Sequence, residues 1–128
     1  MKEDVNYLSK EELSAYSNSK SVSEWCTDCY EVSRSKGWYD VEKVGTFERL
    51  LLVHCEISEA VEELRAGHLV DQVYLKNGKP EGAIVEIADA IIRIFDLCGG
   101  EGIDLAAVIN LKNEYNKTRP YRHGGKVI

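Results

Sequence analysis

Four carboxylates in this chain fall into two pairs with the same three-residue spacing. Glu56 and Glu59 form one pair, and Glu86 and Asp89 form the other. On an α-helix, side chains three residues apart lie about 60° apart around the axis, so each pair projects from one side. Carboxylates gathered at one point cannot all stay ionised without a counter-charge, and Mg²⁺ prefers such oxygen ligands. If the two helices are antiparallel neighbours, the spacing predicts a Mg²⁺ site that Mn²⁺ could also fill.

The same spacing also has a simpler interpretation, because a single ExxE or ExxD motif is typical of the solvated face of an amphipathic helix. The charge distribution favours the metal site. From Lys112 to Ile128 the chain has five Lys or Arg and one Glu, whereas the residues before Lys112 carry 11 Lys or Arg against 21 Asp or Glu. An acidic body suits a cation, and a basic tail beside it suits an anion such as a phosphate.

The elements that must position these pairs are expected to be helices, because the chain has only 10 Gly and 2 Pro in 128 residues. A capping box, Ser21 with Glu24, begins the first main helix. The four main helices are expected at about 22–36, 46–66, 82–97 and 105–118. The third is expected to stop at Gly99-Gly100, and Asp104 to cap the fourth. The fold class predicted is therefore an all-α bundle of about four main helices.

One domain is expected, since 128 residues leave little room for two. Residues 1–20 form a polar N-terminal segment that we expect to be loosely ordered, and 21–128 form a single helical domain with a basic C-terminal tail. The second helix carries an apolar seam with alternating spacings of three and four, which we expect to face other helices. The seam comprises Phe47, Leu50, His54, Ile57, Val61 and Leu64. Four short helices cannot cover all this apolar surface, so a homodimer or a dimer of dimers is predicted.

Composition argues against several partners and locations. The net charge is −6, and an acidic body repels the backbone of a nucleic acid polymer. Apolar runs such as 50–53 are far shorter than the roughly 20 residues that a membrane-spanning helix needs. The chain begins Met1-Lys2-Glu3-Asp4 without an apolar stretch, so we expect no secretory signal and a cytoplasmic location.

The cysteine pattern has two interpretations. Cys26 and Cys29 form a CxxC motif, but no second motif of this kind or nearby Cys/His pair completes a zinc site. Burial as small apolar residues with reduced thiols is the favoured interpretation.

The carboxylate pairs resemble a known signature. Glu56-Ile57-Ser58-Glu59, then 26 residues, then Glu86-Ile87-Ala88-Asp89 is similar to the ExxE…ExxD pattern of MazG-like nucleotide pyrophosphohydrolases, in the all-α NTP pyrophosphohydrolase superfamily. The sequences around both motifs fit as well, and the resemblance extends over about residues 37–122.

The resemblance implies Mg²⁺-dependent hydrolysis of a nucleoside triphosphate, a dNTP or a non-standard NTP, to the monophosphate and pyrophosphate. It implies four metal ligands: Glu56, Glu59, Glu86 and Asp89. It also implies substrate-binding residues, with Trp38 stacking on the base and three last-helix residues contacting phosphates: Lys112, Asn116 and Arg119. A carboxylate that is not fully committed to metal could accept a proton from the attacking water, and we assign this catalytic role to Glu59.

Two other classes of helical protein were compared with this pattern. A di-iron carboxylate bundle needs ExxH motifs, and no His in this chain has Glu three residues before it. The second class is a non-enzymatic helical interaction module, in which the acidic faces only increase solubility. That alternative stays open, and it predicts neither a specific metal site nor release of pyrophosphate.

Overall fold

The computed structural model describes residues 5–40 and 44–128, and this part of the chain is mostly helical. Its helices are α1 (Lys10–Ser14), α2 (Val22–Ser35), α3 (Thr46–Arg65), α4 (Ala83–Glu101), α5 (Leu105–Lys117) and α6 (Arg122–Gly125). Two short strands, β1 (Tyr74–Lys76) and β2 (Lys79–Glu81), lie between α3 and α4. The four longest helices are the four main helices expected from the sequence.

The helix starts follow local capping signals. The Ser21 side chain accepts a hydrogen bond from the backbone N–H of Glu24, and the Glu24 carboxylate accepts one from the Ser21 N–H. The predicted capping box before α2 is therefore confirmed. The Asp104 carboxylate likewise accepts a hydrogen bond from the N–H of Ala107 at the start of α5. These contacts satisfy backbone donors that have no partner inside the helix.

The predicted end of the third main helix is wrong, because α4 continues through Gly99-Gly100 and ends at Glu101. The glycines serve close packing between α4 and α2. A Cβ on Gly99 would overlap the backbone carbonyl of Cys26 and would lie 2.7 Å from the Cβ of Tyr30. Gly102, with φ of +68°, is the residue that terminates α4 in a left-handed conformation.

The all-α description omits a small antiparallel hairpin formed by β1 and β2. Its turn residues Asn77 and Gly78 have φ of 54° and 79°, as two-residue hairpin turns require. The N-terminal segment is attached beside it. The N–H of Leu8 donates to the carbonyl of Val73, and the Tyr7 hydroxyl lies 2.8 Å from Nδ1 of the buried His68.

Helix α4 packs against both α2 and α3, and α5 packs on α2. The orientation of α3 is opposite to our expectation, because its apolar seam is exposed. Phe47 is 86% exposed and Leu50 is 45% exposed. The less exposed side of α3 is instead formed by Arg49, Val53, Glu56, Ala60 and Glu63. The side of α3 that carries Glu56 and Glu63 thus faces inward, and the apolar seam faces outward within one chain. None of the helices in the described ranges is both long and apolar enough to cross a membrane.

Candidate metal centre and adjoining cavity

The two carboxylate pairs meet between α3 and α4. Arg49 lies 3.9 Å from Asp96, and Glu56 lies 3.0 Å from Arg93. Because a higher residue number on α3 pairs with a lower one on α4, the two helices are antiparallel, as the metal-site prediction required. This alignment places the ExxE segment of α3 beside the ExxD segment of α4.

Three of the four predicted ligands form a compact cluster. Glu56, Glu86 and Asp89 each offer a carboxylate oxygen within 4.8 Å of the others. Glu56 and Glu86 are buried, whereas Asp89 is only partly buried. The fourth predicted ligand, Glu59, is exposed and is not part of this cluster, although its negative charge helps to raise the pKa of Glu86. An all-oxygen donor set that is partly open to solvent fits a hard cation such as Mg²⁺.

The pKa values of the clustered carboxyl groups are shifted because several acidic groups lie close together. Burial, hydrogen bonds with Glu56 and Glu59, and the charges of Glu59 and Asp89 raise the pKa of Glu86 to about 8. Burial and the charge of Glu56 also raise the pKa of Asp89. Burial acts to raise the pKa of Glu56 too, but hydrogen bonds with Arg93 and Glu86 hold that pKa below its usual value. At neutral pH the cluster therefore retains a proton, which a divalent cation would replace.

A cavity of about 510 Å³ adjoins this cluster. Its volume lies within the roughly 300–1,000 Å³ that small-molecule sites occupy. Glu56 and Asp89 form part of its wall, together with the aromatic side chains of Trp25 and Trp38. Three cationic side chains also line it: Lys36, Arg49 and Arg93. The cavity thus combines carboxylates, aromatic rings and cations.

The segment that carries Trp38 is held by its neighbour Tyr39. The Tyr39 hydroxyl donates a hydrogen bond of 2.7 Å to Asp96 on α4 and accepts one of 3.0 Å from Arg49 on α3. Burial, followed by the hydrogen bond to Asp96, raises the pKa of Tyr39 to about 12, so the hydroxyl stays protonated. Trp38 itself is 67% exposed at the cavity wall, where an aromatic ring could stack on a base.

The structure does not bring the predicted phosphate contacts to this cavity. Lys112 and Asn116 lie on exposed positions of α5, Arg119 lies just beyond the end of α5, and none of the three is among the residues that line the cavity. The burial predicted for the CxxC motif is confirmed, because Cys26 and Cys29 are 5% and 8% exposed.

Sequence reasoning missed several cavity residues. Arg49 could have been found, because it lies seven residues before Glu56 and therefore shares the inward strip of α3. Lys36 lies just beyond the end of α2 and carries no such periodic signal. Arg93 also lines the cavity; it lies four residues after Asp89 on α4 and pairs with Glu56.

Comparison with family models, curated proteins and solved structures found no match to this chain. The functional argument therefore rests on the geometry of the carboxylate cluster and the cavity.

Proposed function

We propose that this protein hydrolyses a nucleoside triphosphate to the monophosphate and pyrophosphate in the presence of Mg²⁺, in the manner of the MazG-like pyrophosphohydrolases that its motifs resemble. One observation carries the proposal: a cavity of about 510 Å³ shares Glu56 and Asp89 with the carboxylate cluster. A ligand in this cavity can place phosphates beside a bound cation while its base contacts Trp38. The cationic side chains on the same wall match the negative charge of a triphosphate.

The chemistry needs a water, a base and charge neutralisation. Water attacks the α-phosphorus, the bond from that phosphorus to the oxygen bridging to the β-phosphate breaks, and pyrophosphate leaves with the bonding electrons. When bound, Mg²⁺ lowers the pKa of water and neutralises charge on phosphate oxygens. Glu56, Glu86 and Asp89 hold the cation, and the exposed Glu59 accepts the proton that the water loses. Glu59 suits this role because it lies at the solvent-facing side of the cluster.

The test is a panel of NTPs, dNTPs and modified nucleotides with Mg²⁺, with pyrophosphate and orthophosphate measured separately. We expect pyrophosphate from at least one substrate. Glu59→Gln and Asp89→Asn should each reduce kcat by about a hundredfold or more, the usual scale for loss of a general base or a metal contact. Asp71→Asn, at an exposed turn position, is the matched control and should retain wild-type activity.

The non-enzymatic alternative gives a different result. An interaction module would release no pyrophosphate from any nucleotide, and its Mg²⁺ titration would show no specific site. Wild-type activity in both carboxylate variants would equally contradict the assignment of the metal centre, even if the protein hydrolysed a nucleotide. Circular dichroism of each variant distinguishes a loss of activity from a loss of folding.

We further propose that the protein assembles as a homodimer, or as a dimer of dimers, through the apolar seam of α3. The seam is exposed within one chain, and Ile57 and Val61 are 47% and 48% exposed. Exposed contiguous apolar surface of this kind is typical of an interface. Multi-angle light scattering should give at least a dimer mass at micromolar concentration. Ile57→Glu should shift it towards the monomer, whereas Asn113→Glu on exposed α5 should not. A monomer mass for the wild type would contradict this proposal.

A further inference from the structure

Arg93 occupies an unusual position between the carboxylate cluster and the cavity. Its Nε donates a hydrogen bond of 3.0 Å to Oε1 of Glu56, one of the three clustered carboxylates. Its side chain also lines the cavity and is 42% exposed. Within the described ranges, no hydrogen bond or ion pair engages its two Nη groups. One edge of the guanidinium therefore binds the cluster, and the rest remains available to a ligand.

The other arginine of the cavity is held differently. Arg49 is only 14% exposed, its Nε donates to the carbonyl of Val44, and its Nη1 donates to the Tyr39 hydroxyl. Moving Arg49 would break both of these hydrogen bonds and its ion pair with the part-buried Asp96, which is unfavourable. Arg93 loses a single hydrogen bond when it moves, and its exposure gives it room to do so. Of these two arginines, Arg93 is thus the one that can respond to a ligand.

A divalent cation and Arg93 compete for the same carboxylate. The cation is attracted to the oxygens of Glu56, Glu86 and Asp89, and Arg93 already neutralises Glu56. A cation in the cluster repels the guanidinium and removes the charge that held it. A triphosphate in the cavity then provides the replacement, because a guanidinium binds two phosphate oxygens at once.

We propose that Arg93 is a metal-gated phosphate-binding residue, which neutralises Glu56 until a divalent cation takes its place and then binds the phosphates of the nucleotide. This inference rests on the proposed function, and it assigns the phosphate contact to α4 of the same chain. It makes nucleotide binding depend on metal through a protein side chain, in addition to any direct contact between metal and phosphate.

The test measures binding of two probes by isothermal titration calorimetry, without turnover. The first probe is Mn²⁺ alone, and the second is a set of non-hydrolysable α,β-methylene analogues of the common nucleoside triphosphates, added with saturating Mn²⁺. The variants are Arg93→Gln, which removes the charge, and Arg93→Lys, which keeps the charge but loses the two-point contact. Arg65→Gln is the matched control, because Arg65 is 72% exposed and pairs with Glu62 on the outer side of α3.

The expected effects have opposite signs. Arg93→Gln should bind Mn²⁺ alone about threefold or more tightly than the wild type, because the competing cation is gone. It should bind the analogue about tenfold or more weakly, because a charged hydrogen bond to phosphate is lost. Arg93→Lys should show an intermediate affinity for the analogue and near-native affinity for Mn²⁺. Arg65→Gln should match the wild type for both probes.

Three results would overturn the inference. Unchanged affinities in Arg93→Gln would mean that Arg93 contacts no phosphate, and a parallel loss for both probes in the two Arg93 variants would mean that it only shapes the cluster. In either case, tight binding of an analogue by the wild type would leave the proposed function standing. A wild-type protein that binds Mn²⁺ but none of the analogues would refute the proposed function together with the inference.

Discussion

Replacing Glu86 by Gln should stabilise the metal-free protein at pH 8. Glu86 is only 8% exposed, and its pKa is raised from 4.5 to about 8 in the folded chain. Between these two pH values the folded chain holds a proton that the unfolded chain has released. The free energy of unfolding therefore falls as pH rises from about 4.5 to about 8, and the decrease is complete above the folded pKa. Gln carries no ionisable proton, so the variant lacks this decrease.

The magnitude follows from the two pKa values. At about 1.4 kcal/mol for each pKa unit, raising the pKa from 4.5 to about 8 corresponds to a loss of at most about 5 kcal/mol. Side-chain movement and entry of water reduce this loss of stability. We therefore expect the free energy of unfolding of Glu86→Gln to be about 2–4 kcal/mol higher than that of the wild type at pH 8. At pH 5 the difference should be below about 1 kcal/mol, because Glu86 is protonated in the folded wild type and pH 5 lies only about half a unit above the pKa of the unfolded chain.

The assay is urea denaturation with a chelator present, at pH 5 and at pH 8 and constant ionic strength. Glu31→Gln is the matched control, because Glu31 is exposed on α2, and it should track the wild type at both pH values. Adding Mg²⁺ at pH 8 should raise the free energy of unfolding of the wild type more than that of Glu86→Gln, because the cation takes the place of the proton on Glu86. A variant that gains nothing at pH 8 relative to pH 5 would refute the electrostatic account of the cluster.

Three further predictions follow from contacts at the cavity and between helices. Tyr39→Phe should lower the free energy of unfolding by about 1–3 kcal/mol, because the part-buried carboxylate of Asp96 loses a hydrogen-bond donor. Tyr121→Phe at an exposed position should change it little in the same denaturation assay. Gly99→Ala should lower the free energy of unfolding by about 1–3 kcal/mol, because the added Cβ forces α2 and α4 apart even though Ala favours the helix. The control Gly45→Ala should lower it less, because its added Cβ meets nothing closer than 3.6 Å. Arg119→Ala should change kcat/KM by less than about threefold, because this side chain does not line the cavity and only a screened charge is lost. A loss of tenfold or more in a steady-state assay would instead indicate that a second copy supplies the phosphate contact.

The main helices were predictable because their signals are local. Ser21 with Glu24, and Asp104 before α5, satisfy backbone donors within a few residues, and such contacts can be inferred from sequence spacing. The continuation of α4 through Gly99-Gly100 was not predictable. A glycine that ends a helix and a glycine that allows a neighbouring backbone to approach cannot be distinguished in a single sequence. Only the approach of Cys26 and Tyr30 separates the two cases.

The side of α3 that faces the chain's own core also escaped prediction. Periodicity identified an apolar seam, but it does not specify what covers that seam. In the structure the inward strip contains Arg49 and Glu56, because their partners Asp96 and Arg93 lie on α4. The carboxylate pairs were nevertheless expected to meet, since that expectation needed only antiparallel neighbours. The cavity depended on residues distant in sequence, which spacing alone does not connect.

The charged contacts between α3 and α4 also bear on how the two helices find their alignment. An apolar interface tolerates sliding, since one aliphatic side chain can replace another at similar free energy. Arg49 and Glu56 lie seven residues, about two turns, apart on α3, and their partners Asp96 and Arg93 lie three residues, less than one turn, apart on α4. A slip of one helix past the other by one turn would break both pairs together and leave part-buried charges without a partner. Polar pairs of this kind select one register among several that hydrophobicity would accept. The groups that we assign to ligand binding therefore also encode the alignment of the helices that carry them.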